Sequence, residues 1–286
     1  MMKKATIKYI SSLFLFGMNG IVASYIALSS YEIVFTRTFI ASLMLVLFFI
    51  VSKQKMHWME NKKHTSYLLI SGIAMGTSWM FLYEAYQEIG VSIATLAYYC
   101  GPVIVLILSP VFFKEKITWS KALGFVIVLM GLICINEQAL SEGKTAFGLF
   151  CGIASAVLYA VMVIGNKKAE SIRGMENAMW QMIISCAIVM TFLLFKQGFS
   201  LNIEFDSILP ILFLGLVNTG VGCYLYFSAI GHLQVQTVAI CGYLEPLSAI
   251  FFSVLFLHES MNAMQVIGAM LIFGGALFGE LKKSKM

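Results

Sequence analysis

Apolar residues run along this chain in ten blocks of helix length, roughly 7–28, 31–51, 65–86, 92–113, 119–136, 146–165, 177–195, 208–230, 235–257 and 262–281, and the short stretches between them hold most of the charge. The blocks do not alternate. Ser42-Leu43-Met44-Leu45-Val46-Leu47-Phe48-Phe49-Ile50 is apolar on every face for more than two helical turns, whereas a membrane β-strand would alternate polar and apolar residues. A helix needs about 20 mostly apolar residues to cross the hydrocarbon core of a bilayer. The pattern therefore predicts an all-α integral membrane protein of ten transmembrane helices.

The blocks also repeat. Gly76 pairs with Gly220, Ala85 with Ala229, Tyr99 with Tyr243, Pro102 with Pro246, Glu115 with Glu259, Gly124 with Gly268 and Gly131 with Gly275, all at one offset of 144 residues. Two repeats follow, residues 1–141 with helices one to five and residues 142–286 with helices six to ten. Five crossings is an odd number, so the halves run through the membrane in opposite senses. Inverted repeats are a common plan of secondary transporters, with substrate held between the halves near the midplane.

Composition and charge sharpen this picture. Hydrophobic residues make up 60% of the chain and charged residues 12%, against about 25% charged in a soluble domain, so no water-soluble fold could cover the apolar mass. Lys and Arg concentrate in cytoplasmic loops. With the N-terminus inside, Lys3, Lys4, Lys53, Lys63, Lys114, Lys116, Lys167, Lys168 and their neighbours put sixteen of the 19 basic residues on that side. Both termini are then cytoplasmic, in a plasma membrane. The first block, behind Met1-Met2-Lys3-Lys4, is too long for a signal core and reads as a retained spanning helix. The net charge of +5 reflects topology and anionic headgroups, not nucleic acid. The six cysteines lie inside apolar runs and form no CxxC. They read as packing residues, and no metal site or cofactor is implied. The four histidines are scattered at helix ends with no HExxH, and no Gly-rich phosphate loop is present.

Ala94-Thr95-Leu96-Ala97-Tyr98-Tyr99-Cys100-Gly101-Pro102 through Phe113-Lys114-Glu115-Lys116, and Tyr243-Leu244-Glu245-Pro246 through Phe256-Leu257-His258-Glu259, carry a family resemblance. Both copies resemble the EamA-type repeat of the drug/metabolite transporter superfamily. The resemblance covers both halves and implies a ten-helix inverted bundle working by alternating access. It implies cargo such as amino acids, nucleotide sugars, choline-like amines, purines or toxic compounds, with export or exchange the common direction.

Several intramembrane residues are candidates for chemistry. Proline removes one helical hydrogen bond, so Pro102 and Pro246 free the carbonyls of Tyr98 and Gly242; the kinks either line a transport path or serve packing. Glu245, near the midplane, matches Gly101 in the first half. Ionisable residues there are functional candidates by default, and Glu245 could carry a proton, bind a cationic amine or simply hydrogen-bond a neighbouring helix. Arg37 and Glu84 are expected either to pair or, for Arg37, to hold a substrate anion by its planar fork. Tyr98, Tyr99, Tyr243 and Trp79 could form an aromatic cage for a cation or flat substrate, against the alternative of packing. Asn19 and Asn218 need partners in a dry interior and line the cavity or bond across helices. Gly72 and Gly76, Gly148 and Gly152, and Gly275 and Gly279 suit close helix contacts, in a monomer or a homodimer.

The sequence thus reads as a secondary transporter of small metabolites, amino acids or related compounds first, moving outward, with protons as a possible coupling ion. The alternative cargo is quaternary amines or drug-like organic cations. An intramembrane enzyme would need a convergent catalytic set that the intramembrane residues do not supply, and a passive channel a symmetric polar pore.

Overall fold

The computed structural model describes residues 2–135, 146–196, 198, 201–257 and 263–281, and these are helical with short connections. The expected 141/142 boundary, Lys144, His258, Glu259 and the terminal lysines lie outside the described residues.

Among the described residues, eight helical segments are long and apolar enough to cross a bilayer. The first joins α1 (Met2–Gly17) to α2 (Asn19–Ser24), and α3 (Ser30–Ser52) and α4 (Lys62–Ile89) follow. The fourth joins α5 (Val91–Tyr98) to α6 (Cys100–Phe113). After α7 (Trp119–Ile135) come α8 (Ala146–Lys168) and α9 (Gly174–Lys196). The next segment runs from Phe205 through α10 (Ile208–Phe213), a π-helical stretch at Leu214–Val221 and α11 (Gly222–Ile230). The last of the eight joins α12 (Val235–Cys241) to α13 (Leu244–Leu257), and α14 (Ala263–Leu281) follows.

Two of the ten expected crossings, at 119–136 and 262–281, appear as shorter apolar helices. The 17 residues of α7 span about 25 Å at ~1.5 Å per residue, under the ~30 Å of a hydrocarbon core. These two pack on each other. A Cβ on Gly124 would stand 2.6 Å from the Gly275 carbonyl oxygen, one on Gly131 2.6 Å from that of Gly268, and one on Gly275 2.7 Å from that of Gly124. Such backbone-to-backbone approach is what small residues allow between membrane helices. The pairing is antiparallel, since the lower-numbered glycine of α7 meets the higher-numbered glycine of α14. It is also reciprocal: Gly124 meets the repeat partner of Gly131, and Gly131 meets that of Gly124.

Four further glycines expected at close helix contacts meet neighbours within the chain. Gly72 and Gly76 lie against Ile184 and Ser185 of α9, Gly152 against Ala97 of α5, and Gly279 against Ile240 of α12. Large apolar residues cover the outside, with Leu47, Ile50, Val51 and Phe195 all exposed, as a lipid-facing surface requires. Polar residues turn inward instead. Ser78 and Ser155 bond reciprocally between α4 and α8 at 2.8 and 2.9 Å to each other's carbonyls.

The basic connections gather at one end. His57, between α3 and α4, gives its backbone N–H to Glu176 at 2.8 Å and sets its ring Nδ1 3.1 Å from the same carboxylate. Trp58 stacks on Trp180 at 4.2 Å, and His64 meets Ser171 at 2.9 Å. The α3–α4 connection is thereby clipped to the start of α9.

Candidate functional site

Among the described residues four membrane segments are interrupted, and the interruptions meet. The α1–α2 helix breaks at Met18, α5–α6 at Tyr99, α12–α13 at Gly242–Tyr243, and the α10–α11 segment passes through the π-helical stretch. Irregular backbone at membrane depth persists only where protein or a cavity satisfies its polar groups. Here the broken helices satisfy one another. Tyr243 donates its hydroxyl to the Tyr99 carbonyl at 2.7 Å. Asn218, fully buried in the π stretch, donates to Asn19 at 3.2 Å. Tyr9 donates to the Val238 carbonyl at 2.8 Å.

The two prolines act one turn downstream of the breaks. Pro246 cannot bond to the Gly242 carbonyl, which accepts instead from the Glu245 N–H at 3.1 Å. Pro102 likewise leaves the Tyr98 carbonyl without its helical donor, beside the break at Tyr99. Both prolines are packed in the interior. The π stretch was not expected. Thr219 donates to the carbonyl of Leu214, five residues back, at 2.8 Å, and π-helical turns are frequent at functional sites.

Aromatic rings line the junction. Tyr98 lies 5.7 Å from Tyr99 and 5.4 Å from Tyr159, and Tyr99 lies 6.1 Å from Tyr243. Tyr159 and Tyr226 approach hydroxyl to hydroxyl at 3.5 Å, and the Tyr226 ring lies tilted against that of Tyr9 at 5.3 Å. The participation of Tyr9 and Tyr159 was missed in the sequence; a lone tyrosine inside an apolar run was the available signal.

Glu245 is half-buried at this junction and its carboxylate makes no hydrogen bond among the described residues. Its repeat counterpart must be small, because a Cβ on Gly101 would stand 2.7 Å from the ring of Tyr159. Arg37 is buried with its guanidinium over the Trp79 ring at 4.6 Å, and its Nε has no partner. Arg37 and Glu245 form no ion pair among the described residues.

The expected pairing of Arg37 with Glu84 is not what the structure holds. Glu84 sits 2.6 Å from Lys196 at the end of α9, an ionic approach whose angle falls outside hydrogen-bonding geometry. Lys196 reaches Glu84 because α4 packs along α9, while Trp79 occupies the face of Arg37. Gln181, the repeat counterpart of Arg37, has gone into a structural network: Asn166 donates to Asn177 at 2.8 Å and to Gln181 at 3.3 Å.

The junction is sealed toward the basic end. Glu115, just past α6, accepts the backbone N–H groups of Val235 and Gln236 at 2.9 and 3.2 Å, capping α12. Gln236 donates to Ser109 at 3.0 Å, Lys121 to Gln234 at 2.9 Å, and Lys167 to the Leu233 carbonyl. The 144-residue offset relates α12 to α5 and α6 to α13. Yet α6 packs on α12, and no comparable packing joins α5 to α13 among the described residues.

A multi-pass membrane bundle with broken helices around an interior of tyrosines and unpaired charges belongs with the small-molecule transporters, not the enzymes. The chain is a member of the EamA-like transporter family, whose model matches it twice, over residues 4–137 and 146–279. It is similar to the uncharacterized transporter YxxF of Bacillus subtilis (strain 168), 25% identical over 274 residues that make up 95% of this chain and 88% of that one. It is similar to a probable amino-acid metabolite efflux pump of Escherichia coli (strain K12), 25% identical over 175 residues, 57% of this chain and 58% of that one. A solved crystal structure, 16% identical, shares the fold with a TM-score of 0.82 over 97% of both chains.

Proposed function

We propose that this chain is a secondary transporter that moves small metabolites, amino acids or related compounds first, out across the plasma membrane by alternating access. Two inverted five-helix repeats, residues 1–141 and 142–286, form the carrier, with both termini cytoplasmic. The substrate sits among Tyr98, Tyr99, Tyr243, Glu245, Asn19, Asn218 and Trp79. The observation that carries this reading is the meeting of four interrupted membrane segments at one polar junction, which a purely structural bundle would have no reason to maintain. The reciprocal Gly124–Gly275 and Gly131–Gly268 crossings and the double family match support the inverted repeat. The E. coli relative supports the amino-acid assignment.

One asymmetry supports alternating access. Two halves related by inversion should present equivalent contacts at both faces, but α6 and α12 are packed where α5 and α13 are not. On this reading the α6–α12 packing closes the carrier at its basic, cytoplasmic end. A second reading, import or exchange of quaternary amines, is favoured by the tyrosine wall and the unpaired Glu245.

Counterflow in proteoliposomes tests the proposal. Vesicles are loaded in turn with amino acids, quaternary amines and nucleobases, and uptake of the labelled compound is followed at fixed pH. Accumulation that needs the protein and collapses in Glu245→Gln supports the reading. Absence of counterflow for every class, from protein that elutes as a single folded species, sinks it.

A further inference from the structure

Lysines at a membrane boundary ordinarily lay an apolar stem on the protein and extend the ammonium into water. The ammonium of Lys168 is held against the protein. Lys168 closes α8 at the basic end and is half-buried. Its Nζ stands over three rings, Phe112 at 5.0 Å, Tyr67 at 5.8 Å and Phe113 at 6.0 Å. The rings come from two other helices, Tyr67 from the second turn of α4 and the phenylalanines from the end of α6. Lys63 approaches the same Tyr67 ring at 6.0 Å, and Lys167 approaches Phe113 at 5.8 Å. Three ammonium groups thus gather around three rings where the ends of α4, α6 and α8 meet.

Aromatic faces attract a cation without neutralising it, and the protein supplies no anion here. Among the described residues neither Lys63 nor Lys168 has an ion pair or a hydrogen-bond acceptor for its ammonium, and Lys167 takes only the Leu233 carbonyl. Glu170, two residues past Lys168, is exposed and pairs with none of the three. Below the cluster runs an apolar lane. Phe150, Ile153, Val157 and Val161 of α8 are all exposed, and their spacing of three and four residues puts them on one helix face. Lys168, seven residues past Val161, continues that face. From Lys168 back to Val157 the helix runs ~16 Å at about 1.5 Å per residue, half the ~30 Å of a hydrocarbon core and so the depth of one leaflet. Both α4 and α6 pack along α8, and their rings flank the head of the lane.

We propose that the meeting point of α4, α6 and α8 is a site for one anionic phospholipid, with its phosphate on Lys63 and Lys168 and an acyl chain along the exposed face of α8. The occupant is a lipid, not a soluble phosphate, because the unpaired cations stand at the head of a lane one leaflet deep. Basic pockets between membrane helices on the cytoplasmic side suit such headgroups. α4 and α6 fall in the first family match and α8 in the second, so the lipid ties the two halves together at the basic end. The proposal needs only the membrane placement of the bundle and is independent of what the protein carries.

The test counts lipids bound to purified full-length protein in a non-ionic detergent by native mass spectrometry, with phosphatidylglycerol titrated against phosphatidylcholine of identical chains. The first phosphatidylglycerol is expected to bind about 25-fold more tightly, from about 5-fold for each of two lysines. In Lys63→Gln/Lys168→Gln the preference should disappear. Lys3→Gln/Lys4→Gln removes the same charge at the exposed start of α1 and should keep it. Equal affinity of the two lipids for the unmodified protein overturns the proposal without any variant having to fold. An equal loss of preference in the Lys3 and Lys4 variant also overturns it, since the attraction would then be a diffuse effect of net charge. Glycerol 1-phosphate, which carries the anion without the chains, should leave the lipid bound at equal concentration. If it displaces the lipid, the site is one for a soluble anion and the lipid assignment fails.

Discussion

Glu115 offers a quantitative test of how the basic end is held shut. Its carboxylate accepts two backbone N–H groups at the start of α12, at 2.9 and 3.2 Å. In Glu115→Ala both donors lose a charged acceptor at a helix N-terminus. Hydrogen bonds to charged groups contribute about 1.5–3 kcal/mol each when buried, and loss of a helix cap about 1 kcal/mol. Glu115 is only half-buried, so water can replace part of what is lost, and a net effect of about 1.5–3 kcal/mol is reasonable. If the cap exists only in the closed conformer, the whole of that falls on the closed–open equilibrium, roughly a 10- to 100-fold shift. Cys241, buried at the end of α12, is the reporter. With the other five cysteines replaced by serine, a membrane-impermeant maleimide is applied to the basic face of oriented vesicles. Labelling of Cys241 should accelerate by that factor in Glu115→Ala and by less in Glu115→Gln, which keeps one acceptor. Unchanged labelling alongside a lowered unfolding temperature would refute the reasoning, because the cap would then be a staple common to both conformers.

Other expectations follow from the packing. Gly131→Leu places a side chain where even a Cβ would stand 2.6 Å from the Gly268 carbonyl; over-packing of this kind costs about 1–3 kcal/mol or more, and gel filtration in detergent should show loss of the folded peak, with Gly131→Ala milder. Glu176→Ala removes the acceptor for the His57 N–H and ring, at a cost of about 1–3 kcal/mol, and should speed tryptic cleavage after Lys53 and Lys55. Lys196→Met leaves the buried Glu84 without its cation; the unfolding temperature should fall, and Glu84→Gln in the same chain should restore part of it.

The membrane class and most spans were legible because hydrophobic length is a one-dimensional property of the chain. The prolines announced broken helices, and the breaks fell one turn before them, at Tyr99 and at Gly242–Tyr243. Tyr99 and Tyr243 were visible as repeat partners, and they touch. What stayed hidden were choices between partners of similar chemistry. Nothing local says that Glu84 takes Lys196 over Arg37, since that depends on where α9 ends relative to α4. The π stretch at Leu214–Val221 was equally silent, because its composition is ordinary and the extra residue is tolerated only through tertiary contacts such as Asn218 with Asn19. The α12 cap was present in the sequence as the repeated glutamate Glu115, but its acceptor role belongs to a fold in which a loop of one half reaches the first turn of the other.

The antiparallel glycine seam between α7 and α14 also sets a timetable. α7 offers Gly124 and Gly131 as bare backbone, and the surface that fits them is made roughly 140 residues later, about 7–30 seconds at ordinary synthesis rates of ~5–20 residues per second. Throughout that interval the nascent chain carries an open seam that lipid fills poorly. A ribosome that stops before α14 releases a protein with most of its membrane segments in place and one helix still waiting for its mate. Quality control in the membrane thus has a specific flaw to detect, and a helix of the second half is the one that closes the first.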